Sequence, residues 1–223
     1  MAQLKPRIAL VVRGGWEGHE PFAATEFFAP FLKDNGFEVV FSETLDTYTD
    51  EATMRKADLV LQCWTMGRLS EQQLEGLDKS VSSGTGFAGW HGGIIDSFRD
   101  SPGYLQLTGG QFVAHPGNFI DYELEVVPAR AGHEIMRGLP ASFKLHTEQY
   151  WVLSDTLNDV LATTRLAHID GAPWGKAFSV PAVWTRQWGS GKVFVCTVGH
   201  RVADLEVPEV RTIIERGLLW ASR

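Results

Sequence analysis

Apolar positions in this chain gather into short runs, and the stretches between them repeat at helical spacing. Residues 7–12 (RIALVV), 37–41 (FEVVF), 57–64 (ADLVLQCW) and 86–90 (GFAGW) are continuous apolar runs of strand length. Such runs suit parallel strands buried on both faces. Between the first two, Pro21 suits a first helical position. Ala24, Phe27, Phe28, Phe31 and Leu32 then recur on one helical face, and Gly36 offers a C-terminal stop. A short helix is expected near residues 50–56. Ser70-Glu71-Gln72-Gln73 has the pattern of a capping box, and Leu74, Leu77 and Val81 continue that helix to Gly84. The alternation is β-α-β-α-β-α-β, which predicts a doubly wound, mostly parallel sheet.

The second half is less regular. Residues 101–118, rich in Gly and Pro, read as a long loop with short elements. Strands are expected at 121–127, within 143–153, at 160–164 and at 182–187. Trp188-Gly189-Ser190-Gly191 reads as a hairpin turn into 192–198 (KVFVCTV), and Val210, Ile213, Ile214 and Leu218 mark a closing amphipathic helix. No repeat or linker interrupts the pattern, so residues 1–223 are expected to form one domain.

Composition narrows the function. Lys and Arg number 20 against 27 Asp and Glu, a net charge of −7. No basic stripe is present, which argues against a nucleic-acid partner. No run approaches the ~18 apolar residues of a membrane span. The first seven residues lack the apolar core of a leader. A soluble, cytoplasmic protein is expected. Cys63 and Cys196 lie far apart in apolar runs and read as packing thiols. Gly14-Gly15 and Gly109-Gly110 do not complete a nucleotide-binding glycine motif, so no nucleotide cofactor is expected.

Ligands of open parallel sheets bind beyond the carboxyl ends of the strands. His19 follows the first strand, Trp64 ends the third, His91 follows the fourth and His200 follows the last. In Gly89-Trp90-His91-Gly92-Gly93 a strand runs into small residues flanking a central side chain, the pattern of a nucleophile elbow. The centre is His, so a Ser or Cys nucleophile is excluded there. An imidazole so placed serves as acid, base or metal ligand, against the alternative of a solvated turn histidine. His19, His91 and His115 are the candidate ligands of a divalent metal such as zinc, although no local spacing supports them. Glu148 and Tyr150, two apart, would share one strand face as a carboxylate–hydroxyl pair, with His146 on that face too. With His91 they are the candidate catalytic residues. Arg13, Trp16, Trp64, Trp90 and His200 are candidates for substrate binding, with His200 open also to serving as a fourth metal ligand or capping the last helix region. Arg13 can instead pair with Glu17 or Glu20, Trp64 and Trp90 can be core, and Arg186 reads as a structural ion pair.

The chain resembles the ThuA-like domains named for trehalose utilisation. The resemblance runs through Gly14-Gly15 to Gly18-His19, Gly89-Trp90-His91-Gly92, Gly109-Gly110-Gln111-Phe112 to His115-Pro116, and His133 to Gly138-Leu139-Pro140. It continues in Thr147-Glu148-Gln149-Tyr150 and in Pro181-Ala182-Val183-Trp184-Thr185-Arg186 to Gly199-His200. It implies a flavodoxin-like or class I glutamine amidotransferase-like three-layer α-β-α sandwich lacking the Cys nucleophile. It also implies a role in sugar catabolism, on a 3-keto-disaccharide or 3-keto-glycoside supplied by an associated sugar dehydrogenase. The rival expectations are a non-catalytic carbohydrate-binding module and a structural partner of that dehydrogenase. The closing helix and exposed aromatics suggest a homodimer.

Overall fold

A computed structural model of the chain describes residues 6–223. The leader reading fell on residues 1–7, of which the first five lie outside the described residues. The elements in order are β1 (Arg7–Gly15), α1 (Pro21–Asp34), β2 (Phe37–Ser42), α2 (Glu51–Lys56), β3 (Leu59–Thr65), α3 (Glu71–Ser82), β4 (Gly86–Trp90) and α4 (Gly92–Ile95). There follow α5 (Pro102–Thr108), β5 (Gly110–Ala114), β6 (Phe119–Val126), β7 (Ser142–Glu148), β8 (Trp151–Ser154), β9 (Asp159–Leu166), β10 (Phe178–Trp188), β11 (Gly191–Cys196), α6 (Val202–Leu205) and α7 (Pro208–Ala221).

The expected α/β sandwich is present. One nine-stranded sheet has the order β2-β1-β3-β4-β11-β10-β9-β6-β7. Its first five strands pair parallel. From β10 onward the pairs are antiparallel. β5 and β8 form a separate two-stranded ribbon. Alternation along the parallel strands divides the core into two layers. Ala9, Val11, Leu59 and Leu61 face Phe28 and Leu32 of α1 and Ile213 and Leu218 of α7. Leu10, Val12 and Val60 face Leu77 and Val81 of α3 and Tyr104 and Leu107 of α5. Helices thus cover both faces, as buried parallel strands require.

Local signals set the boundaries. The Ser70 hydroxyl accepts from the Gln73 amide, and the Gln73 side chain accepts from the Ser70 amide, completing the capping box that starts α3. Trp188 pairs with Gly191 across a two-residue turn, as the hairpin pattern predicts. β10 is longer than its expected 182–187, because Pro181 hides its first half. The pairing to β9 slips between Pro181 and Val183, and that irregularity lets the strand run through a residue with no N–H to give. The presumed loop at 101–118 contains α5 and β5. Cys63 and Cys196 are free and buried, as expected of packing thiols. No helix among the described residues is long and apolar enough to cross a membrane.

Candidate active site

Three histidines meet at the carboxyl ends of the parallel strands. His19 closes the turn after β1, His91 follows β4 directly, and His200 lies in the loop leaving β11. His91 and His200 ring centres are 4.7 Å and 4.9 Å from that of His19. All three side chains are buried.

The elbow that presents His91 is bent as the glycine pattern predicts. His91 has φ 48° and ψ −141°, a backbone conformation that L-residues rarely adopt. Close packing demands the flanking glycines. A Cβ at Gly92 would stand 2.2 Å from His19 Cε1, and one at Gly93 would stand 2.9 Å from the Cys63 backbone. The His91 amide donates to the Cys196 carbonyl at 2.7 Å. Its ring Nδ1 lies 2.8 Å from the Thr197 carbonyl oxygen. A carbonyl only accepts, so the proton sits on Nδ1 and the lone pair of the neutral ring is left on Nε2. His19 Nδ1 is held at 2.8 Å by the Thr65 hydroxyl at the end of β3.

Glu148 completes the cluster. Its Oε2 is 3.1 Å from His91 Nε2 and 3.2 Å from His200 Nδ1. Its Oε1 is 3.7 Å from His115 Nε2. His200 Nδ1 is buried and makes no well-formed hydrogen bond despite that proximity, and His115 Nδ1 is likewise unsatisfied. Burial pushes the Glu148 carboxyl upward, but the closeness of the His200 and His91 ring nitrogens outweighs it and holds the group ionised, well below its ordinary range. Burial lowers the His19 imidazole to about 3, aided by its proximity to His91 and His200. Burial lowers His91 too, against the opposing pull of Glu148. Near neutral pH the cluster therefore holds a carboxylate faced by the neutral rings of His19 and His91. One donor atom each from His19, His91, Glu148 and His200 lies within 4.8 Å of the others. Imidazole nitrogens and a carboxylate oxygen are ligands that zinc and similar ions accept. A lone pair facing a carboxylate, and a buried nitrogen with no partner, are both satisfied by a cation between them, so the residues fit a metal. Of the expected ligands, His19 and His91 lie in this cluster with His200, the fourth ligand the sequence offers, and with Glu148; His115, its side chain 34% exposed, lies beside Glu148 and outside the group.

Glu148 and Tyr150 do meet at His91, but not as neighbours on a strand face. β7 ends at Glu148 and the chain leaves the sheet before β8. The turn lays the Tyr150 ring on His91 at 4.0 Å between centres, nearly parallel. Burial and then the Glu148 charge push the Tyr150 hydroxyl well above its usual value, so it stays protonated. His146 is exposed instead and pairs with Asp121.

The expected substrate-binding residues separate. Trp16 is 48% exposed and sits beside His19 and His200, at 4.8 Å and 6.5 Å between ring centres. Phe119, which the sequence reading did not single out, lies 5.0 Å from His200 with the Arg201 guanidinium over its ring. Trp90 is a correction: it is 1% exposed, packs on Phe28 and underlies Gly199, so it is core and offers no sugar face. Trp64 is half-buried, packed over Gly14 and beside Gly67. Arg13 pairs with Glu26 and Glu43 rather than Glu17 or Glu20, and its guanidinium lies between Phe22 and Phe41, with its Nε buried and without a hydrogen-bond partner. Arg186 makes the structural ion pair expected of it, with Asp155. A cavity of about 580 Å³ bordered by Tyr48, Met54, Gln72 and Lys79 contains none of the cluster residues. Chemistry, not the size of a hollow, marks the site.

The family model described as trehalose utilisation, ThuA, matches residues 8–221. No curated protein sequence matches the chain. Among solved structures, the chain is similar to a ThuA-like protein of Bacteroides uniformis, with a TM-score of 0.77 and 17% identity over 99% of this chain and 94% of that one. A ThuA-like protein of Parabacteroides merdae gives 0.75 and 16% over 97% and 90%. A protein described as cytoplasmic, from Salmonella typhimurium, gives 0.66 and 11% over 97% and 100%. At such identities these likenesses speak for the fold, whereas the family model spans almost the whole chain. The chain belongs to the ThuA, or trehalose utilisation, family.

Proposed function

We propose that the histidine–glutamate cluster is the reaction centre of a cytoplasmic, sugar-catabolic enzyme. It cleaves the glycosidic bond of a 3-keto-disaccharide or 3-keto-glycoside. The observation that carries this reading is the convergence of Glu148 with His19, His91 and His200 beneath an exposed tryptophan. The description of the Salmonella relative supports the cytoplasmic part.

A ketone at C3 acidifies the proton on C2, and loss of that proton lets the oxygen on C1 depart by β-elimination. Addition of water across the resulting double bond then gives net hydrolysis. This route needs a base, an electrophile for the keto oxygen and an acid for the leaving oxygen. His19, His91, Glu148 and His200 would hold a divalent ion of the zinc type, which when bound supplies the Lewis acidity for the keto oxygen. His115, partly exposed and next to Glu148, accepts the C2 proton at Nε2 and returns it after water has added. Tyr150, held protonated by burial, donates from its hydroxyl to the leaving glycosidic oxygen and recovers a proton from the water whose oxygen then adds to C1. Trp16 and Phe119 stack on sugar faces at the rim. The substrate must come from oxidation of a sugar C3 hydroxyl, which assigns a sugar dehydrogenase as the upstream partner.

The test compares a 3-keto-disaccharide with its unoxidised parent, following release of free monosaccharide by mass spectrometry. The mechanism predicts cleavage of the keto form alone, because only that form has an acidic C2 proton. Equal cleavage of both, or of neither, contradicts it.

A further inference from the structure

Gln62 is a fully buried amide in the middle of an apolar strand, and the mechanism above makes no use of it. Its β3 neighbours Leu61 and Cys63 face the α1 layer, whereas Gln62 points to the opposite face among Val60, Ile94, Tyr104 and Phe87. Burying an amide there is costly unless all its hydrogen bonds are made. They are made: one to Gly93 in the turn that carries His91, and the others to Ser97, Tyr104 and Tyr48 around it.

The Gln62 Nε2 lies 3.1 Å from the Gly93 carbonyl, which can only accept, so the nitrogen end of the amide must face the elbow. The same nitrogen reaches Ser97 Oγ at 3.2 Å and the Tyr104 hydroxyl. Those two groups pass the contact on. Tyr104 donates to the Ile94 carbonyl at 2.7 Å, and Ser97 donates to the Trp64 carbonyl with a longer contact to Gly92. On the other end, Gln62 Oε1 accepts from the Tyr48 hydroxyl at 2.8 Å. The Gly93 carbonyl is thus met by the amide itself, and the Ile94 carbonyl by the Tyr104 hydroxyl that the amide contacts. His91, which begins this turn, is the residue in the rarely adopted backbone conformation.

We propose that Gln62 is a positioning residue: it tethers the strained elbow from beneath and so fixes the direction of the His91 ring. Without it, the helical turn after His91 loses its interior partner. The backbone then relaxes toward an ordinary conformation, carrying Nδ1 away from Thr197 and Nε2 away from Glu148. The effect on turnover rests on the function proposed above, but the positioning of His91 does not.

The experiment follows the His91 Nδ1 proton, which its hydrogen bond to Thr197 should protect and shift downfield in the NMR spectrum of the full chain. Three variants are compared. Gln62→Leu keeps the approximate size of the side chain and removes the donating and accepting ends together. Gln62→Met does the same with a more adaptable side chain and serves where the leucine variant does not fold. Tyr48→Phe deletes the bond to Oε1 while leaving Nε2 on Gly93. Loss of the His91 signal in the Gln62 variants, with its retention in Tyr48→Phe, is the expected result. Zinc affinity measured by titration with zinc chloride should fall about 10–100-fold in the same variants, the range for lost outer-shell support. An unchanged His91 signal in a folded Gln62 variant overturns the proposal. So does loss of that signal in Tyr48→Phe to the same degree, because that outcome makes the effect one of general core stability. Turnover failure of the wild-type chain would count against the proposed function and leave the NMR result standing.

Discussion

Glu148 Oε2 stands 3.1 Å from His91 Nε2, although β7 and β4 are separated by four strands in the sheet. With Nδ1 of His91 donated to Thr197, the neutral ring turns a lone pair toward a carboxylate. Two acceptors at that distance repel unless a proton or a cation joins them. Removing the carboxylate removes the centre's charge while keeping its shape. On the proposed ligand set the wild-type protein is expected to carry near-stoichiometric zinc by inductively coupled plasma analysis, and Glu148→Gln and His91→Ala are both expected to lose it. Metal retained at wild-type level in both variants would contradict the assigned ligand set.

The packing of Gly92 against His19 gives a sharper test. A methyl group at 92 would stand 2.2 Å from His19 Cε1 and 2.4 Å from Nδ1. Gly92→Ala should displace His19 and weaken zinc binding at least tenfold, whereas Gly132→Ala, where nothing lies within 4 Å of the added carbon, should bind as the wild type does. Calorimetric titration of the two variants reads the difference.

The two tryptophans flanking the elbow should part company. Trp90 is buried on Phe28, so Trp90→Ala is expected to cost about 3–5 kcal/mol of stability, the usual range for emptying a core aromatic site. Trp16 is half exposed, and Trp16→Ala should leave stability within about 0.5 kcal/mol while raising KM for the keto-sugar. Chemical denaturation and steady-state kinetics on the pair check this.

Acid should destabilise the metal-free protein earlier than carboxylates alone would. The His19 imidazole is lowered from 6.5 to about 3 by burial and neighbouring rings. The unfolded chain therefore binds a proton that the folded chain refuses between those values. Its contribution is fully present above pH 6.5 and is lost as pH falls toward 3. Glu148, also lowered, adds its loss only below its ordinary value of 4.5. Melting of chelator-treated protein should already decline between pH 6.5 and 4.5, and His19→Asn should flatten that part of the curve. An identical decline in His19→Asn would assign the effect elsewhere.

Much of the parallel half was legible in the sequence because its strands are unbroken apolar runs and its helices carry their own start and stop signals. The rim rule placed His19, His91 and His200 together, since each follows a strand of that half. The antiparallel half was harder. Pro181 disguised the start of β10, and nothing local shows that the edge strand β7 returns its last residue to β4. Glu148 and Tyr150 were reached by assuming one extended strand, yet the chain turns between them and meets His91 from two directions. Trp90 and Arg13 sit at strand ends but serve packing and ion pairing, which pattern alone does not separate from ligand binding. Thr65 and Phe119 left no signal. Gln62 did: a lone amide in LVLQCW is a polar residue that an apolar strand must have reason to bury.

Whether the cluster cleaves a keto-glycoside is read from turnover of a 3-keto-disaccharide by wild-type and Glu148→Gln protein in the same zinc-containing buffer. Monosaccharide release by the wild type is expected, with a loss of at least about 100-fold in the variant, because the ion that would polarise the keto oxygen leaves with its carboxylate ligand and such polarisation is worth several kcal/mol. Equal release by both proteins would contradict that reading.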